Sequence, residues 1–96
     1  MAIAVDLNFP GATADQYDAT VKVIGHGPAG TPHVGGALFH VAMVTSDGVR
    51  VIDVWDSREQ FESFSQDKIV PALQQTGMPA PEIQFIDVHS YLVGPG

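Results

Sequence analysis

The first residues of the chain alternate between apolar and polar side chains. Ile3, Val5, Leu7 and Phe9 fall on one side of an extended segment, which predicts a strand over residues 2–9. Pro10-Gly11 then ends the alternation, because this dipeptide is typical of a turn.

Helical spacing replaces the alternation after this turn. Thr13 and Gln16 have the form of a capping box, in which each side chain satisfies the backbone amide of the other residue. Gly25 stands where a glycine often ends a helix. The pattern predicts a helix over residues 13–24, with three side chains on its inner face: Tyr17, Val21 and Ile24.

A β-hairpin and a second helix are predicted for the middle of the chain. Strand patterns at 37–45 and 49–56 flank Asp47-Gly48, a dipeptide typical of a type I′ turn. The sequence Ser57-Arg58-Glu59-Gln60 repeats the capping-box form, and Gly77 ends the second helix. Pro71 must kink or restart that helix, since proline has no amide hydrogen.

A final strand is predicted over about residues 82–93. The resulting order is βαββαβ, the ferredoxin-like arrangement of the α+β class. It predicts an antiparallel four-stranded sheet with two helices on one face, and the usual strand order two–three–one–four.

The hairpin register sorts the strand residues into two faces. A two-residue turn at Asp47-Gly48 pairs His40 with Trp55 and Val41 with Val54. The nearly all-apolar face is assigned to the core, with the apolar residues of strand one; it includes Phe39, Val41, Met43, Ile52, Val54, Ile86, Val88 and Leu92. The other face is mixed and collects Asp6, Asn8, His40, Asp53, Trp55, Phe85, Asp87, His89 and Tyr91.

The mixed face predicts a homodimer. Aromatic side chains among ionisable groups on a bare sheet usually mark an association surface rather than a solvated one. A second copy packed sheet on sheet would cover this face and add buried area to a small chain.

Composition fits one acidic domain spanning residues 1–96. The 4 Lys+Arg against 11 Asp+Glu give a net charge of −7, which disfavours both nucleic acid and an anionic membrane surface as partners. The absence of Cys excludes disulfides, thiolate catalysis and Cys-ligated zinc. No apolar run approaches the roughly 20 residues of a membrane helix, and the N-terminus lacks the basic region of a signal peptide. The predicted compartment is the cytoplasm.

The segment 51–64, Val-Ile-Asp-Val-Trp-Asp-Ser-Arg-Glu-Gln-Phe-Glu-Ser-Phe, resembles the passage from strand three into helix two of the antibiotic biosynthesis monooxygenase-like proteins. These proteins belong to the dimeric α+β barrel superfamily, whose βαββαβ order matches nearly the whole chain. The resemblance implies a homodimer in which two sheets form one barrel with the helices outside. Activities in the superfamily include cofactor-free oxygenation of aromatic polyketides, cyclisation, lactone isomerisation and haem degradation, so the resemblance bounds the fold better than the function.

The haem-degrading branch of the superfamily differs from this sequence at its functional positions. That branch uses an Asn on strand one, where Asn8 stands here. It also uses a Trp and an axial His on helix two, which appear here as Phe64 and Leu73. The resemblance therefore implies no haem, and the predicted cofactors are none.

Three residues are predicted to be catalytic: His40, His89 and Asp53. The two histidines lie on opposite edge strands, roughly 14 Å apart at about 4.8 Å per strand, but they can meet across a dimer seam. An aspartate such as Asp53 or Asp87 would then orient a ring for acid–base work. The alternative is that both are interface histidines hydrogen-bonded to carboxylates.

Trp55, Tyr91 and Asn8 are predicted to line the substrate site. Trp55 is alternatively an interface anchor, and Tyr91 either donates a proton or simply lines the barrel. No tight ligand spacing is present, so no metal is predicted. His26 and His33 lie in the Gly/Pro-rich connector 25–36, which is either a lid over a pocket or a solvent-exposed loop.

Two functions are consistent with these patterns. The first is a small cofactor-independent enzyme, monooxygenase-like or cyclase/isomerase-like, that acts on an apolar oxygenated or aromatic small molecule by acid–base chemistry. The second is a non-catalytic dimeric module that binds a small molecule or serves a structural role.

Overall fold

The sheet and its connected helices are seen in a computed structural model, which describes residues 2–25 and 36–92. The elements in chain order are β1 (Ile3–Pro10), α1 (Ala14–Ile24), β2 (Ala37–Thr45), β3 (Gly48–Trp55), α2 (Arg58–Phe64), a π-helical segment (Ser65–Ile69), α3 (Val70–Thr76) and β4 (Glu82–Asp87). The strands form one antiparallel sheet in the order β2-β3-β1-β4. The predicted ferredoxin-like α+β fold and strand order are confirmed. His26 and His33 of the predicted lid, and residues 93–96, lie outside the described residues.

The helix ends follow the capping residues of the sequence. The Gln16 amide donates to Thr13 Oγ1 at 3.1 Å, and the Thr13 amide donates to Gln16 Oε1 at 3.0 Å. Ser57 caps α2, because its Oγ accepts from the Gln60 amide at 3.2 Å, but the Gln60 Oε1 accepts from Ser57 Oγ at 3.1 Å rather than from the Ser57 amide. The predicted second capping box is therefore present only in part. Gly25 ends α1 in the left-handed conformation. These contacts confirm the predicted starts of both helices.

Pro71 is accommodated by a change of helix type. The Val70 amide donates to the Ser65 carbonyl, five residues back, so the chain makes a π turn between α2 and α3. Pro71 then occupies the first turn of α3, where a missing amide hydrogen costs least. Of the two predicted effects of Pro71, a kink or a restart of the helix, the structure shows the restart.

The core lies between the helices and one face of the sheet, which we call the inner face. Its β1 and β3 residues alternate along each strand and are joined by side chains from the helical layer. The buried apolar residues that form this core are Val5, Leu7, Phe9, Ala12, Val49, Val51, Trp55, Phe61, Leu73 and Met78. Within the helical layer, Thr20 Oγ1 lies 2.8 Å from Thr76 Oγ1 and links α1 to α3.

The predicted assignment of the faces is wrong in one respect. His40, Asp53, Trp55 and Phe85 do share a face, but it is the inner face beneath the helices, because β1 pairs Val5 with Asp53. Asp6 and Asn8, predicted to lie beside them, are on the opposite, outer face. The apolar set predicted as core is on the outer face as well, at Phe39, Val41, Met43, Ile52, Val54 and Ile86.

The reason for the inverted assignment is that both faces of the hairpin are apolar. The large side chains Val49, Val51 and Trp55 favour burial of the inner face more than Asp53 opposes it. Asp53 is only 7% exposed, and its carboxylate is hydrogen-bonded on both oxygens.

The hairpin turn consists of Ser46 and Asp47 rather than Asp47 and Gly48. Thr45 pairs with Gly48, so the register differs by two residues from the predicted one and pairs His40 with Asp53. Thr45 Oγ1 accepts from the Asp47 and Gly48 amides at 3.2 and 3.1 Å, which stabilises this turn. A shift of two residues leaves every side chain on the same face.

Strand β4 ends at Asp87, earlier than the predicted residue 93. An edge strand is hydrogen-bonded to one neighbour only, and β4 pairs with β1, whose first residue Ile3 stands opposite Asp87. One further bond, from the Val88 amide to the Ala2 carbonyl, extends the contact. Residues 88–92 continue without strand pairing.

Gly48→Ala is expected to lower the free energy of unfolding by about 3 kcal/mol or more. Gly48 has φ +150°, and a Cβ there would stand 2.2 Å from the Phe9 carbonyl oxygen. Urea unfolding followed by circular dichroism measures the change. Gly11→Ala is the control, because Gly11 also has positive φ but no heavy atom within 4 Å of its added Cβ. Gly11→Ala should lower the free energy of unfolding by only about 1–2 kcal/mol. Equal losses of unfolding free energy in the two variants would contradict the close contact at Gly48.

Candidate active site

Four side chains on the inner face form one hydrogen-bonded chain. Tyr17 of α1 approaches His40 of β2, with 2.7 Å between its hydroxyl oxygen and His40 Nε2. His40 Nδ1 lies 2.6 Å from Asp53 Oδ1, and the Trp55 indole donates to Asp53 Oδ2 at 3.2 Å. The sheet register produces this chain, since β2 pairs His40 directly with Asp53 and Trp55 follows two residues later on the same face. We call these four residues the relay cluster.

The relay cluster runs from the protein interior to its surface. Trp55 is 2% exposed and packs against Phe61 and Phe64, with ring centroids 5.7 and 5.4 Å away. The Asp53 side chain is 10% exposed, whereas the His40 side chain is 52% exposed. A proton exchanged with a bound molecule at His40 or Tyr17 would therefore be balanced by a carboxylate held in the interior.

With an ionised Asp53, the donors and acceptors of the cluster allow two proton arrangements, one with a neutral and one with a protonated His40. Indole N–H is a donor only, so Asp53 Oδ2 accepts from Trp55. An ionised Asp53 then also accepts from Nδ1–H of a neutral His40, which leaves Nε2 to accept the Tyr17 hydroxyl hydrogen. When His40 gains a second proton, Nε2–H donates to the Tyr17 oxygen, and the hydroxyl hydrogen of Tyr17 becomes available to another acceptor.

Burial of the phenol, followed by the nearby charges of Asp53 and Asp18, raises the pKa of Tyr17 from 10.0 to about 12. Each of these effects disfavours the phenolate. Tyr17 is therefore a neutral hydroxyl at physiological pH and acts as a donor of hydrogen bonds or protons.

The ultraviolet titration of Tyr91→Phe, which retains Tyr17 as its one tyrosine, is expected to show ionisation at about pH 12. Because the folded-state pKa is raised, the stabilising contribution of Tyr17 is present below about pH 10 and is lost as the pH rises through about 12. Absorbance at alkaline pH, with circular dichroism to check folding, measures both effects. A midpoint near 10 in the folded protein would contradict the buried hydroxyl.

The structure brings together three of the predicted site residues and adds one. The three predicted residues are His40, Asp53 and Trp55, which are joined by hydrogen bonds through Asp53. The added residue is Tyr17, which was predicted only as an inner-face residue of the first helix. The signal for Tyr17 was its phenol among apolar positions of α1, since a half-buried hydroxyl needs a polar partner.

Trp55 was predicted to line the substrate site, but it is enclosed by core side chains. It contacts Phe61 and Phe64 and uses its polar atom on Asp53. A direct contact between Trp55 and a substrate therefore has no support in the described residues.

The other predicted site residues lie apart from the relay cluster. Asn8 is on the outer face and donates to Glu82 at 3.3 Å, beside a bidentate ion pair in which Arg50 contacts Asp6 at 3.0 and 2.6 Å. These residues line an open depression of about 380 Å³. His89 and Tyr91 follow β4 and are exposed. The prediction that His40 meets His89 across a dimer seam assumed that His40 lies on the bare face of the sheet. The structure places His40 on the inner face instead.

Two negative findings concern residues 2–25 and 36–92. These residues contain no group of three His, Cys, Asp or Glu side chains placed to hold a metal ion. Their helices are all too short or too polar to span a membrane.

Comparison with known proteins finds solved structures with a similar fold. No protein-family model and no curated protein sequence matches the chain. A Chloroflexus aurantiacus J-10-fl protein that carries the name antibiotic biosynthesis monooxygenase is similar over 98% of this chain and 100% of its own, with 20% identity and a TM-score of 0.62.

Two Streptomyces structures are also similar. The monooxygenase from the gene ActVA-Orf6 of Streptomyces coelicolor, solved in complex with the ligand nanaomycin D, gives a TM-score of 0.58 at 19% identity, covering 97% of this chain and 91% of its own. SnoaB of Streptomyces nogalater, a cofactor-independent oxygenase, gives 0.58 at 15% identity, covering 95% of each chain. The chain thus has the ferredoxin-like fold of the antibiotic biosynthesis monooxygenase-like proteins.

Proposed function

We propose that this chain is a small cofactor-independent enzyme that acts on an apolar, oxygenated or aromatic small molecule by acid–base chemistry. The observation that carries the proposal is the hydrogen-bonded sequence Tyr17–His40–Asp53, in which a half-exposed imidazole joins a buried carboxylate to a phenol. Such a sequence can exchange a proton with a bound molecule, because an imidazole nitrogen both accepts and donates protons.

The proton steps follow from the cluster itself. His40 removes a proton from a carbon that is conjugated with a carbonyl of the substrate, and Asp53 stabilises the imidazolium that results. Tyr17, a neutral phenol, is then placed to donate to the oxygen on which negative charge develops. These are the steps that an isomerase or a cyclase also needs.

The oxygenase version of the proposal is supported by the similarity to SnoaB, a cofactor-independent oxygenase, and to the ActVA-Orf6 monooxygenase with its bound nanaomycin D. In that version O₂ is the second substrate, and the deprotonated carbon supplies the electrons. A CH₂ group becomes C=O, one oxygen atom enters the product, and the other leaves as water with the two hydrogens. The four electrons lost by the carbon reduce the O₂.

A homodimer is part of the proposal. The outer face presents a row of apolar side chains, with Phe39, Met43 and Ile86 each 38–47% exposed. An apolar sheet face of this kind usually marks an association surface. We propose that a second copy of the chain covers the outer face, because each copy would then bury its apolar row against the same row of the other.

The alternative is a non-catalytic dimeric module, and one observation favours it. Every buried side-chain nitrogen and oxygen of the described residues has a hydrogen-bond partner, including those of the relay cluster. A fully satisfied polar group in a core is compatible with a structural role alone.

Oxygen uptake with a set of enolisable aromatic ketones, such as anthrones, tests the proposed enzyme. We expect wild-type protein, stripped of metals by a chelator, to form the quinone and consume one O₂ for each molecule converted, as followed by electrode and mass spectrometry. Proton exchange into the same ketones in heavy water, without O₂ uptake, would favour the isomerase version. Neither uptake nor exchange above the rate without protein would reject the enzyme and favour the module.

A further inference from the structure

We propose that Trp55 is a positioning residue, whose indole N–H holds the Asp53 carboxylate in the orientation that fixes the tautomer of His40. The catalytic meaning of this role rests on the proposed function, but the tautomer itself is measurable without any turnover.

The geometry divides the Asp53 carboxylate between two donors. Oδ1 lies 2.6 Å from His40 Nδ1, and Oδ2 accepts from Trp55 Nε1 at 3.2 Å. A carboxylate bound through one oxygen turns about its terminal torsion, which is soft. A second donor on the other oxygen fixes that torsion, and the plane of the carboxylate with it.

The indole is itself held in place by the core. Trp55 is 2% exposed, Phe61 meets it edge-on with a 75° interplanar angle, and Phe64 packs at 37°. Helix α2, which supplies both phenylalanines, thus fixes the direction of the Trp55 N–H. The orientation is transmitted from the aromatic packing through Asp53 to the half-exposed ring of His40.

The tautomer of His40 follows from this arrangement. Free histidine in water prefers hydrogen on Nε2, whereas the relay cluster requires it on Nδ1 so that Nε2 accepts from Tyr17. Without Trp55, Oδ2 is left buried without a donor, a state that proteins avoid. Asp53 then either turns away from Nδ1 or carries a hydrogen that it donates to Nδ1, and both outcomes favour Nε2–H on His40.

Nitrogen and carbon chemical shifts of labelled histidine rings test the proposal. The chain has 4 histidines, and the spectrum of His40→Gln identifies the signals of His40. We expect neutral His40 in the wild type to be mainly the Nδ1–H tautomer, and the ratio of Nδ1–H to Nε2–H to fall about fivefold in Trp55→Phe, as on losing one hydrogen bond.

Phe64→Leu is the matched control, because it disturbs the same aromatic packing but keeps the indole N–H. An unchanged tautomer ratio in Trp55→Phe, or an equal fall in Phe64→Leu, would overturn the positioning role. If the protein proves inactive toward every ketone while Trp55→Phe still shifts the tautomer, the proposed function fails and the positioning of His40 by Trp55 stands. In an active protein, the same substitution should also displace the pH profile of turnover, which a purely structural role would not do.

Discussion

Replacing His40 with glutamine is expected to lower the turnover number of the proposed reaction by at least about 100-fold, the usual contribution of a general acid–base group. Glutamine has an amide that can donate to Asp53 and accept from Tyr17, so the hydrogen-bonded sequence can persist. It cannot gain and lose a proton near neutral pH. The His40 side chain is 52% exposed, and its replacement should therefore leave folding intact.

The measurement is the initial rate with the best substrate, in parallel with an unfolding curve for each variant. His89→Gln is the comparison that decides between the two predicted catalytic histidines, since His89 follows β4 while His40 contacts Asp53. A loss confined to His89→Gln, or a His40→Gln enzyme as active as the wild type, would refute the relay cluster as the catalytic site.

Met43→Asp is expected to raise the dissociation constant of the proposed homodimer by at least about 100-fold. Met43 is an apolar residue of the outer face and is 38% exposed. Position 43 stands opposite Arg50, but the Arg50 guanidinium is already held by both carboxylate oxygens of Asp6, so the new carboxylate has no cation of its own. Such a carboxylate buried at an interface costs several kcal/mol, and each 1.4 kcal/mol changes the dissociation constant tenfold. A two-fold symmetric interface would contain the substitution twice.

Val44→Asp provides the control for this substitution. Val44 is the next residue of β2, is 70% exposed and points to the inner side of the sheet. Val44→Asp should therefore leave the dissociation constant of the homodimer unchanged. Native mass spectrometry and sedimentation measure the oligomeric state and also reveal any retained small molecule. A wild-type monomer, or equal effects of the two substitutions, would exclude the outer face as the dimer interface.

The helix ends and the topology could be predicted from the sequence because they depend on local chemistry. Thr13 with Gln16, and Ser57 with Gln60, satisfy backbone amides within one helical turn, so their effect is visible without the rest of the fold. Each apolar period then assigns a strand or a helix by itself.

The side of the hairpin that packs against the helices could not be predicted in this way. Both sides of β3 contain apolar residues, and Asp53 makes its side look less suitable for a core. Its burial is favourable only because two partners from different positions, His40 and Trp55, satisfy it together. Such compensation depends on three-dimensional contacts, which an alternation pattern does not contain. Tyr17 was missed as a site residue for the same reason.

The π-helical segment Ser65–Ile69 contains one residue more than an α-helical turn would need between α2 and α3. Phe61 and Leu73 both belong to the core, yet a regular helix at about 100° per residue would place them about 120° apart around its axis. One extra residue in the π turn removes about 100° of this difference and brings both side chains to the same side. A relative that is one residue shorter between Phe64 and Val70 would bury the same pair with an uninterrupted α-helix, and its alignment with this chain should contain a single gap there.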